Sequence, residues 1–448
     1  MSDDGIHLNL FTMNAVEHVS VGSWRYPGDQ STRYTDTDYW TEVARTAERG
    51  GFDGVFFADV RGIYDVFDDS RDPAIEKAVQ TPSNDPAYVV PAMAEVTDDL
   101  GFAITKSTSY NHPYQLAREF STLDHVTDGR VAWNVVTSYL ESAAANLGLE
   151  GMIEHDERYD RADEFMEVVY RLWEDSWEDD AVVADRESDV YTDPEKVHGI
   201  DFDGDYFRVP GPHGCEPSPQ RSPVIYQAGS SDRGREFAAK HAEAVFVSQP
   251  NERAVMDYIE DLEARAESYG RDPDSLKFFP GIVPIVGETA EIAEAKHESY
   301  KEGIDVEGVL TLLSGFVDMD LSELDPDQTV EHIETQAMQG VVNAFTKNDD
   351  REWTVREMAQ YAGLGTTSPV VVGTPEQVAD EIERWYTEVG VDGFNVKEVV
   401  RPDGLRDFVD LVVPELRERG LMRETAGATL RGTLTGSDRL PADHPARR

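Results

Sequence analysis

Short apolar runs alternate with amphipathic segments along most of the chain. Eight runs have the length and apolar character of buried strands, and most are followed by a segment with helical spacing. Strands are predicted at 7–13, 54–59, 102–108, 131–138, 224–229, 244–248, 278–286 and 393–399, and helices at 39–50, 86–99, 113–127 and 160–177. Eight strand–helix units favour an α/β fold that closes as a (β/α)8 TIM barrel over an open doubly wound sheet.

Two long segments interrupt this alternation. Residues 178–222 are rich in Asp, Pro and Gly with little periodicity, so we expect a long surface loop near the mouth of the barrel. Residues 300–370 carry two or three amphipathic stretches, one of them at 329–342, and are predicted to form a helical subdomain that acts as a lid. The barrel with both insertions is predicted to span 1–425 as one domain.

The last segment, 426–448, has few large apolar residues and two prolines. It is predicted to be loosely ordered or to embrace a neighbouring subunit.

The charge balance is strongly acidic. The 448 residues include 89 acidic and 40 basic side chains, a formal net charge of −49. Such a surface repels nucleic acid and anionic membranes, so neither is expected as a partner. Because the acids are spread along the whole chain, the pattern resembles proteins of extreme halophiles; an acidic mesophilic enzyme is the alternative.

Cysteine content and hydropathy indicate the cellular compartment in which the protein works. A single cysteine, Cys215, cannot form an internal disulfide, which fits a reducing compartment. The sequence shows neither a signal peptide nor a run of eighteen apolar residues. We therefore expect a cytoplasmic protein.

Candidate chemistry gathers where the predicted strands end, because barrel enzymes carry their sites at that face. The polar side chains there are Asp59, Thr105, Ser107, Asn134, Thr137, Ser230 and Ser231. Each one alone could be a turn residue or a helix cap. Their recurrence on four strands favours a polar organic ligand such as a cofactor ring with a sugar or ribityl chain.

The stretch VIYQAGSSDRGR at 224–235 runs from a strand through Gly229, Ser230 and Ser231 into a predicted helix. Glycine, hydroxyls and a helix amino terminus together make a phosphate cradle. An ordinary N-cap explains the same residues.

His155 and Tyr159 precede the helix predicted from 160, at i, i+4 spacing. If the helix begins early enough, both side chains share one face and reach back over the mouth; a capped histidine beside a packed tyrosine is the alternative. A metal site from His112, His155 and nearby acids lacks any HxH or HExxH spacing, so no metal is predicted.

Several of these segments, taken together, resemble the bacterial-luciferase-like flavin monooxygenases. The most similar branch contains the nitrilotriacetate, EDTA, dibenzothiophene sulfone and pristinamycin oxygenase components. The resemblance runs in order from about residue 6 to 420 and rests on GFDGVFFAD (51–59), TSYNHPYQLAREFSTLDHVTDGRVAWNVVTS (108–138), HDERYDRADEF (155–165), QAGSSDRGREFAA (227–239), GTPEQVADEIERW (373–385) and GFNV (393–396).

The resemblance implies a barrel that binds FMN and uses O2 to oxygenate a small organic substrate. It implies that a separate NAD(P)H-dependent flavin reductase delivers reduced FMN, and that the chain forms a homodimer or homotetramer. The matching FMN-binding positions are Asp59, Thr105, Asn134, His155, Tyr159, Ser230 and Ser231. His155 is also the candidate catalytic proton donor, ahead of His18 and His112.

Lys106 departs from the family pattern, in which a small apolar residue follows the threonine. Its ammonium either favours anionic reduced FMN or points outward to an acidic partner, and we expect the second. Three other functions stay open: a deazaflavin-dependent oxidoreductase of the same superfamily, a non-catalytic flavin-binding protein, and a barrel enzyme of unrelated chemistry.

Overall fold

A computed structural model describes residues 5–249, 251–329, 353–423 and 426–447. Eight parallel strands close a barrel in the order β1-β2-β3-β4-β9-β10-β11-β13, and β13 pairs with β1. These strands are β1 (His7–Met13), β2 (Gly54–Ala58), β3 (Gly101–Ser107), β4 (Val131–Val136), β9 (Val224–Gln227), β10 (Ala244–Val247), β11 (Lys277–Val286) and β13 (Gly393–Val396). All eight predicted strands and the TIM-barrel fold are confirmed, with ends that differ by at most three residues.

Five further strands lie outside the barrel wall. Strand β12 (Val370–Gly373) lengthens the sheet by pairing with the end of β11. Two antiparallel hairpins lie in the first insertion, β5 (Val182–Asp185) with β6 (Val190–Thr192) and β7 (Phe202–Asp203) with β8 (Arg208–Val209). The sequence did not predict these strands because each is too short to show a period.

Helices surround the barrel and fill the insertions. They are α1 (Thr37–Arg49), α2 (Asp72–Glu76), α3 (Val90–Ala94), α4 (Pro113–Val126), α5 (Glu141–Asn146), α6 (His155–Tyr170), α7 (Asp232–His241), α8 (Glu252–Ser268), α9 (Ala290–Gly303), α10 (Val306–Val317), α11 (Val355–Gly365), α12 (Pro375–Arg384), α13 (Asp403–Asp407), α14 (Val413–Glu418) and α15 (Leu430–Thr435). No helix in the described ranges is long and apolar enough to cross a bilayer.

Helix α6 begins five residues earlier than predicted, at His155. Asp156 and Glu157 occupy its first turn, where carboxylates interact favourably with the helix dipole. The condition for His155 and Tyr159 to share one helix face is therefore met.

Alternation along the strands sorts side chains between two cores. Outward residues such as Leu10, Ile104 and Trp133 pack against the helices, whereas Phe56 and Ala132 fill the barrel interior. The parity of each strand therefore decides whether a residue near its end faces the mouth or the helical layer.

The described residues of the carboxyl-terminal segment, 426–447, include α15 and enter the barrel of their own chain. Leu430 and Leu434 of α15 join the interior cluster, and Leu430 donates its amide to Gly129 O, just before β4. The Arg431 side chain is fully buried, and its Nε donates to Glu243 Oε1 at 2.6 Å. The described part of this segment closes the amino-terminal end of the barrel.

The first insertion, 178–222, does not stay near the mouth as expected. Phe207 packs against His112 and Phe165 on the outer helices, with ring centroids at 5.9 and 5.5 Å. Gln220 Nε2 donates to Val131 O at 2.9 Å, at the start of β4. The insertion therefore runs along the outer helical layer to the opposite end of the barrel.

The described parts of 300–370 are mostly helical. Helices α10 and α11 form a second apolar cluster with residues of the loops that follow β2 and β4, including Tyr64 and Leu140. Phe316 lies 6.0 Å from the rings of both Tyr64 and Tyr139. This insertion lies over the mouth side of the barrel; most of the stretch predicted at 329–342 falls outside the described residues.

Candidate active site

Two of the predicted residues form a polar pair inside the mouth. Thr105 and Asn134 lie opposite each other on β3 and β4. Thr105 Oγ1 donates to Phe57 O at 2.7 Å and accepts from Asn134 Nδ2 at 2.9 Å. The Asn134 Oδ1 atom is buried without a hydrogen-bond partner in the described structure. An unpaired buried acceptor is costly, so this atom fits a ligand that brings an N–H or O–H donor.

The Gly229-Ser230-Ser231 turn follows β9 and leads into α7, as the cradle hypothesis required. Ser231 caps the helix, because its Oγ accepts from Gly234 N at 3.1 Å. Ser230 is exposed, and its hydroxyl makes no hydrogen bond to the described residues. Its backbone carbonyl accepts from Arg235 Nε. The N-cap interpretation is therefore correct for Ser231, and it leaves Ser230 and the first turn of α7 available to an anion.

Gly229 is required by the close approach of two backbones. A Cβ at this position would lie 2.7 Å from the Gly234 Cα atom and 2.9 Å from its carbonyl carbon. The Gly229 carbonyl accepts from Tyr258 Oη at 2.6 Å, and its amide donates to Gln227 Oε1 at 2.7 Å. The turn is thus held rigidly against the start of α7.

Tyr159 brings α6 to the same place. Its hydroxyl lies against Gly234 in the first turn of α7, where an added Cβ would come within 2.8 Å of it, and burial raises the pKa of Tyr159. His155, one turn earlier, packs edge-on against the Tyr159 ring at 5.3 Å and contacts Asp156 through Nδ1 at 2.8 Å. The structure therefore brings His155, Tyr159 and Ser231 together around the start of α7.

Asp59 ends β2 on another side of the mouth. Burial raises its pKa to about 6 and the carboxylate of Asp85 adds to this, while Lys106 and Arg61 act in the opposite direction. A carboxyl group with such a pKa exchanges its proton near neutral pH, which suits contact with a polar ligand.

Lys106 points away from the mouth, as expected. Its Nζ lies 2.6 Å from Asp85 Oδ2 and 3.0 Å from Glu119 Oε1 of α4. Because Thr105 faces inward, the next residue on the strand faces the helices.

The three candidate histidines occupy different environments. His112 caps α4 by accepting from Tyr114 N, and His155 lies beside Tyr159. His18 packs edge-on against the inward Phe11 at 4.5 Å. Burial lowers the His18 pKa well below its usual value, with Lys397 and Arg401 adding to the effect. Of these three, His18 is the histidine whose ring contacts an interior side chain. The sequence favoured His155 instead.

Sequence reasoning missed a chain of hydrogen bonds above the strands. Tyr64 Oη donates to Gln80 Oε1 at 3.0 Å and lies 2.6 Å from Tyr139 Oη. Gln80 Nε2 donates to His18 O at 2.9 Å. These residues stand on loops with no periodic pattern, so no signal in the sequence joined them.

Two buried polar residues near strand ends were missed as well. Asn14 follows β1 and has both side-chain polar atoms buried without partners in the described structure. Lys397 follows β13 and is buried. The parity of β13 was the available signal, because Lys397 stands two residues after the inward Asn395.

A closed parallel barrel with an inward polar layer at its mouth, and a Gly-Ser-Ser turn leading from one strand into a helix, is the architecture of a barrel enzyme with its site at the carboxyl ends of the strands. Residues 19–393 match the family model described as luciferase-like monooxygenase. The chain belongs to this family.

Individual relatives cover nearly the whole chain. A long-chain alkane monooxygenase of Geobacillus thermodenitrificans (strain NG80-2) is 50% identical over 99% of this chain and 97% of its own. A dimethyl-sulfide monooxygenase of Hyphomicrobium sulfonivorans is 47% identical over 98% and 93%.

Solved structures agree with this assignment. The crystal structure of a long-chain alkane monooxygenase is 49% identical, has a TM-score of 0.91 and covers 99% of both chains. The structure of a riboflavin lyase with modified FMN and riboflavin is 36% identical, has a TM-score of 0.90 and covers 99% of this chain and 98% of that chain. The protein is a flavin-dependent monooxygenase, and the predicted family, barrel and oxidoreductase class are confirmed.

Proposed function

We propose that this chain is the oxygenase component of a two-component system. It binds reduced FMN delivered by a separate NAD(P)H-dependent flavin reductase and uses O2 to oxygenate a small organic substrate. When bound, reduced FMN supplies the electrons that activate O2, which no side chain can do. The observation that carries the proposal is the rigid Gly229–Ser231 cradle, with Tyr159 set against it and the unpartnered Asn134 Oδ1 inside the mouth.

The residues present fit FMN at both of its ends. Ser230, Ser231 and the first amides of α7 would hold the phosphate, with Tyr159 and His155 beside them. Thr105 and Asn134 would meet the ribityl chain or the ring, since Asn134 Oδ1 can accept from its N–H or O–H groups. Asp59 would contact the polar edge of the same ligand.

The position of His155 supports a binding role at the phosphate end over proton transfer at the ring. His18 lies against Phe11 in the interior and is the better placed group for moving a proton. The described part of the 300–370 insertion would exclude water, because Phe316 packs over the tyrosines above the mouth.

A deazaflavin-dependent reaction without oxygen is the weaker alternative, because the most similar relatives are named monooxygenases. A flavin-binding protein without catalysis and a barrel of unrelated chemistry are disfavoured on the same ground.

The double substitution Ser230→Ala with Ser231→Ala tests the phosphate site. Each lost hydrogen bond to a charged group is worth about 1.5–3 kcal/mol, so we expect the dissociation constant of FMN to rise by at least about tenfold. The measurement is a fluorescence titration with oxidised FMN and an anaerobic titration with photoreduced FMN.

Thr289→Ala provides the matched control, because Thr289 caps α9 in the same way that Ser231 caps α7. It should lower the melting temperature without changing FMN affinity. Unchanged FMN binding in the double variant would refute the assignment of the phosphate site.

We also propose that the acidic surface is an adaptation to high salt. With a net charge of −49, carboxylate repulsion opposes the folded state, and the Debye length falls from about 10 Å at 0.1 M salt to about 3 Å at 1 M. The melting temperature should therefore rise steadily between 0.1 and 2 M KCl in a calorimetric scan. Sucrose at matched osmolality stabilises by exclusion without screening; an equal rise in sucrose would contradict the proposal.

A further inference from the structure

Lys397 stands at the mouth end of β13 and faces the barrel interior. Asn395 of the same strand points inward, since its Nδ2 donates to Phe279 O, and a residue two positions on has the same parity. Lys397 is only 4% exposed. Its stem passes over Gly281 of β11, where a Cβ would lie 3.1 Å from Lys397 Cε.

The ammonium of Lys397 has no carboxylate partner among the described residues. Of the eight lysines in the described ranges, the other seven lie within 4.0 Å of a carboxylate oxygen: Lys77, Lys106, Lys196, Lys240, Lys277, Lys296 and Lys301. The exception is notable in a chain with 89 acidic side chains. A buried charge without a counter-ion is costly, so its retention points to a charged partner outside the described residues, such as a bound ligand.

The contacts of Lys397 Nζ are neutral. They are Gly365 O at 3.1 Å, Thr366 Oγ1 at 3.4 Å and the rings of Phe11 and Phe246, whose centroids lie at 5.2 and 5.7 Å. Burial lowers the Lys397 pKa to about 7, and the ammonium in turn helps to keep His18 neutral.

The acidic side chains of this wall accept backbone N–H donors, although Glu17 Oε2 is buried without a partner in the described structure. Glu17 Oε1 accepts from the amides of Gly22 and Trp24, and Glu398 accepts from Leu405 N. Arg401, the other cation of this wall, donates to backbone carbonyls and to Thr12 Oγ1. The wall therefore presents positive charge beside two aromatic rings, which matches a planar anion.

We propose that Lys397 is a further cofactor-binding residue, whose ammonium contacts the negatively charged ring of reduced flavin and makes the mouth prefer reduced over oxidised FMN. The inference rests on the proposed function. Oxidised flavin is neutral in the ring, whereas reduced flavin readily loses a proton from its pyrimidine half. An ammonium at van der Waals distance from the ring therefore acts on one redox form far more than on the other. An oxygenase supplied with reduced flavin gains by this preference, since oxidised FMN then competes less.

A purely structural role makes a different prediction. Gly365 is the last residue of α11, and a cation at a helix carboxyl terminus stabilises the helix. Loss of that contact would affect both redox forms of FMN equally.

The experiment compares Lys397→Met, Lys397→Gln and Lys397→Arg with the wild type. Dissociation constants are measured for photoreduced FMN under anaerobic conditions and for oxidised FMN in air. Met and Gln should weaken binding of the reduced form at least about tenfold, a change of about 1.4 kcal/mol, and of the oxidised form less than about threefold. Arg should keep the wild-type ratio of the two constants. Gln can still donate to Gly365 O without the charge, which keeps the test valid if Met disturbs folding.

Lys106→Met is the matched control, because Lys106 is also a buried lysine near a strand end but faces two carboxylates outside the barrel. It should lower the melting temperature and leave the ratio unchanged. If Lys397→Gln leaves the ratio of the two dissociation constants unchanged, whether or not binding of both redox forms is weakened, the inference is overturned while the proposed function stands. Failure of the wild type to bind either form would overturn both.

Discussion

Replacing Gly229 by alanine is expected to weaken FMN binding by at least about 100-fold, since the loss of two hydrogen bonds to a charged group costs about 3 kcal/mol or more. The added methyl group would meet the backbone of Gly234 at 2.7 and 2.9 Å, so the turn and the start of α7 must separate. Separation moves Ser230, Ser231 and the first helix amides away from a common centre. Isothermal titration with FMN measures the loss.

Gly211→Ala is the control for Gly229→Ala. A Cβ at Gly211 meets no atom within 4 Å, so this variant should bind FMN as the wild type does. Circular dichroism should show both variants folded. Wild-type affinity in a folded Gly229→Ala protein would mean that the phosphate lies elsewhere.

Replacing Arg431 by methionine is expected to lower the free energy of unfolding by about 3–5 kcal/mol, because it leaves the buried carboxylate of Glu243 without its cation. Arg431 also donates to the carbonyl oxygens of Gln220, Ser222 and Pro223, which would lose their partner. Urea denaturation measures the change in the free energy of unfolding. FMN affinity should not change, because Arg431 lies at the end of the barrel opposite the mouth.

Two further variants test the explanation of the stability loss expected for Arg431→Met. Arg253 pairs with Asp257 at 2.6 Å on the surface of α8, where it is 77% exposed, so Arg253→Met should cost less than about 1 kcal/mol. Adding Glu243→Gln to Arg431→Met should recover part of the loss, because it removes the unpaired charge. If Arg431→Met is no more destabilising than Arg253→Met, the tail does not close the barrel as described.

The barrel and much of its mouth can be predicted from the amino-acid sequence alone. Buried parallel strands are apolar on both faces, so each one stood out as a run such as GVFFA or VAWNVV, bounded by helical periods. Residues at the ends of such strands are bound to meet at one face, which is why Thr105 and Asn134 could be placed together before the structure was known.

Other features depended on contacts between distant parts of the chain. Segment 426–448 has little apolar character, yet its described part packs into the barrel, because two leucines fill an interior that exists only after closure and Arg431 pairs there with Glu243. The first turns of α6 likewise have a distant partner, since Tyr159 packs against Phe237 of α7 with ring centroids at 5.8 Å. A local sequence pattern does not show which distant residue a side chain will contact.

The two buried lysines illustrate the difference between features that can be predicted from the sequence and features that depend on distant contacts. The sequence places Lys106 and Lys397 alike, each at the carboxyl end of an apolar strand. Strand parity within the closed barrel turns Lys106 out to Asp85 and Glu119 and turns Lys397 in beside Phe11 and Phe246. The sequence shows that a charge stands at each strand end, but the direction of each side chain follows from how its strand pairs with its neighbours in the closed barrel.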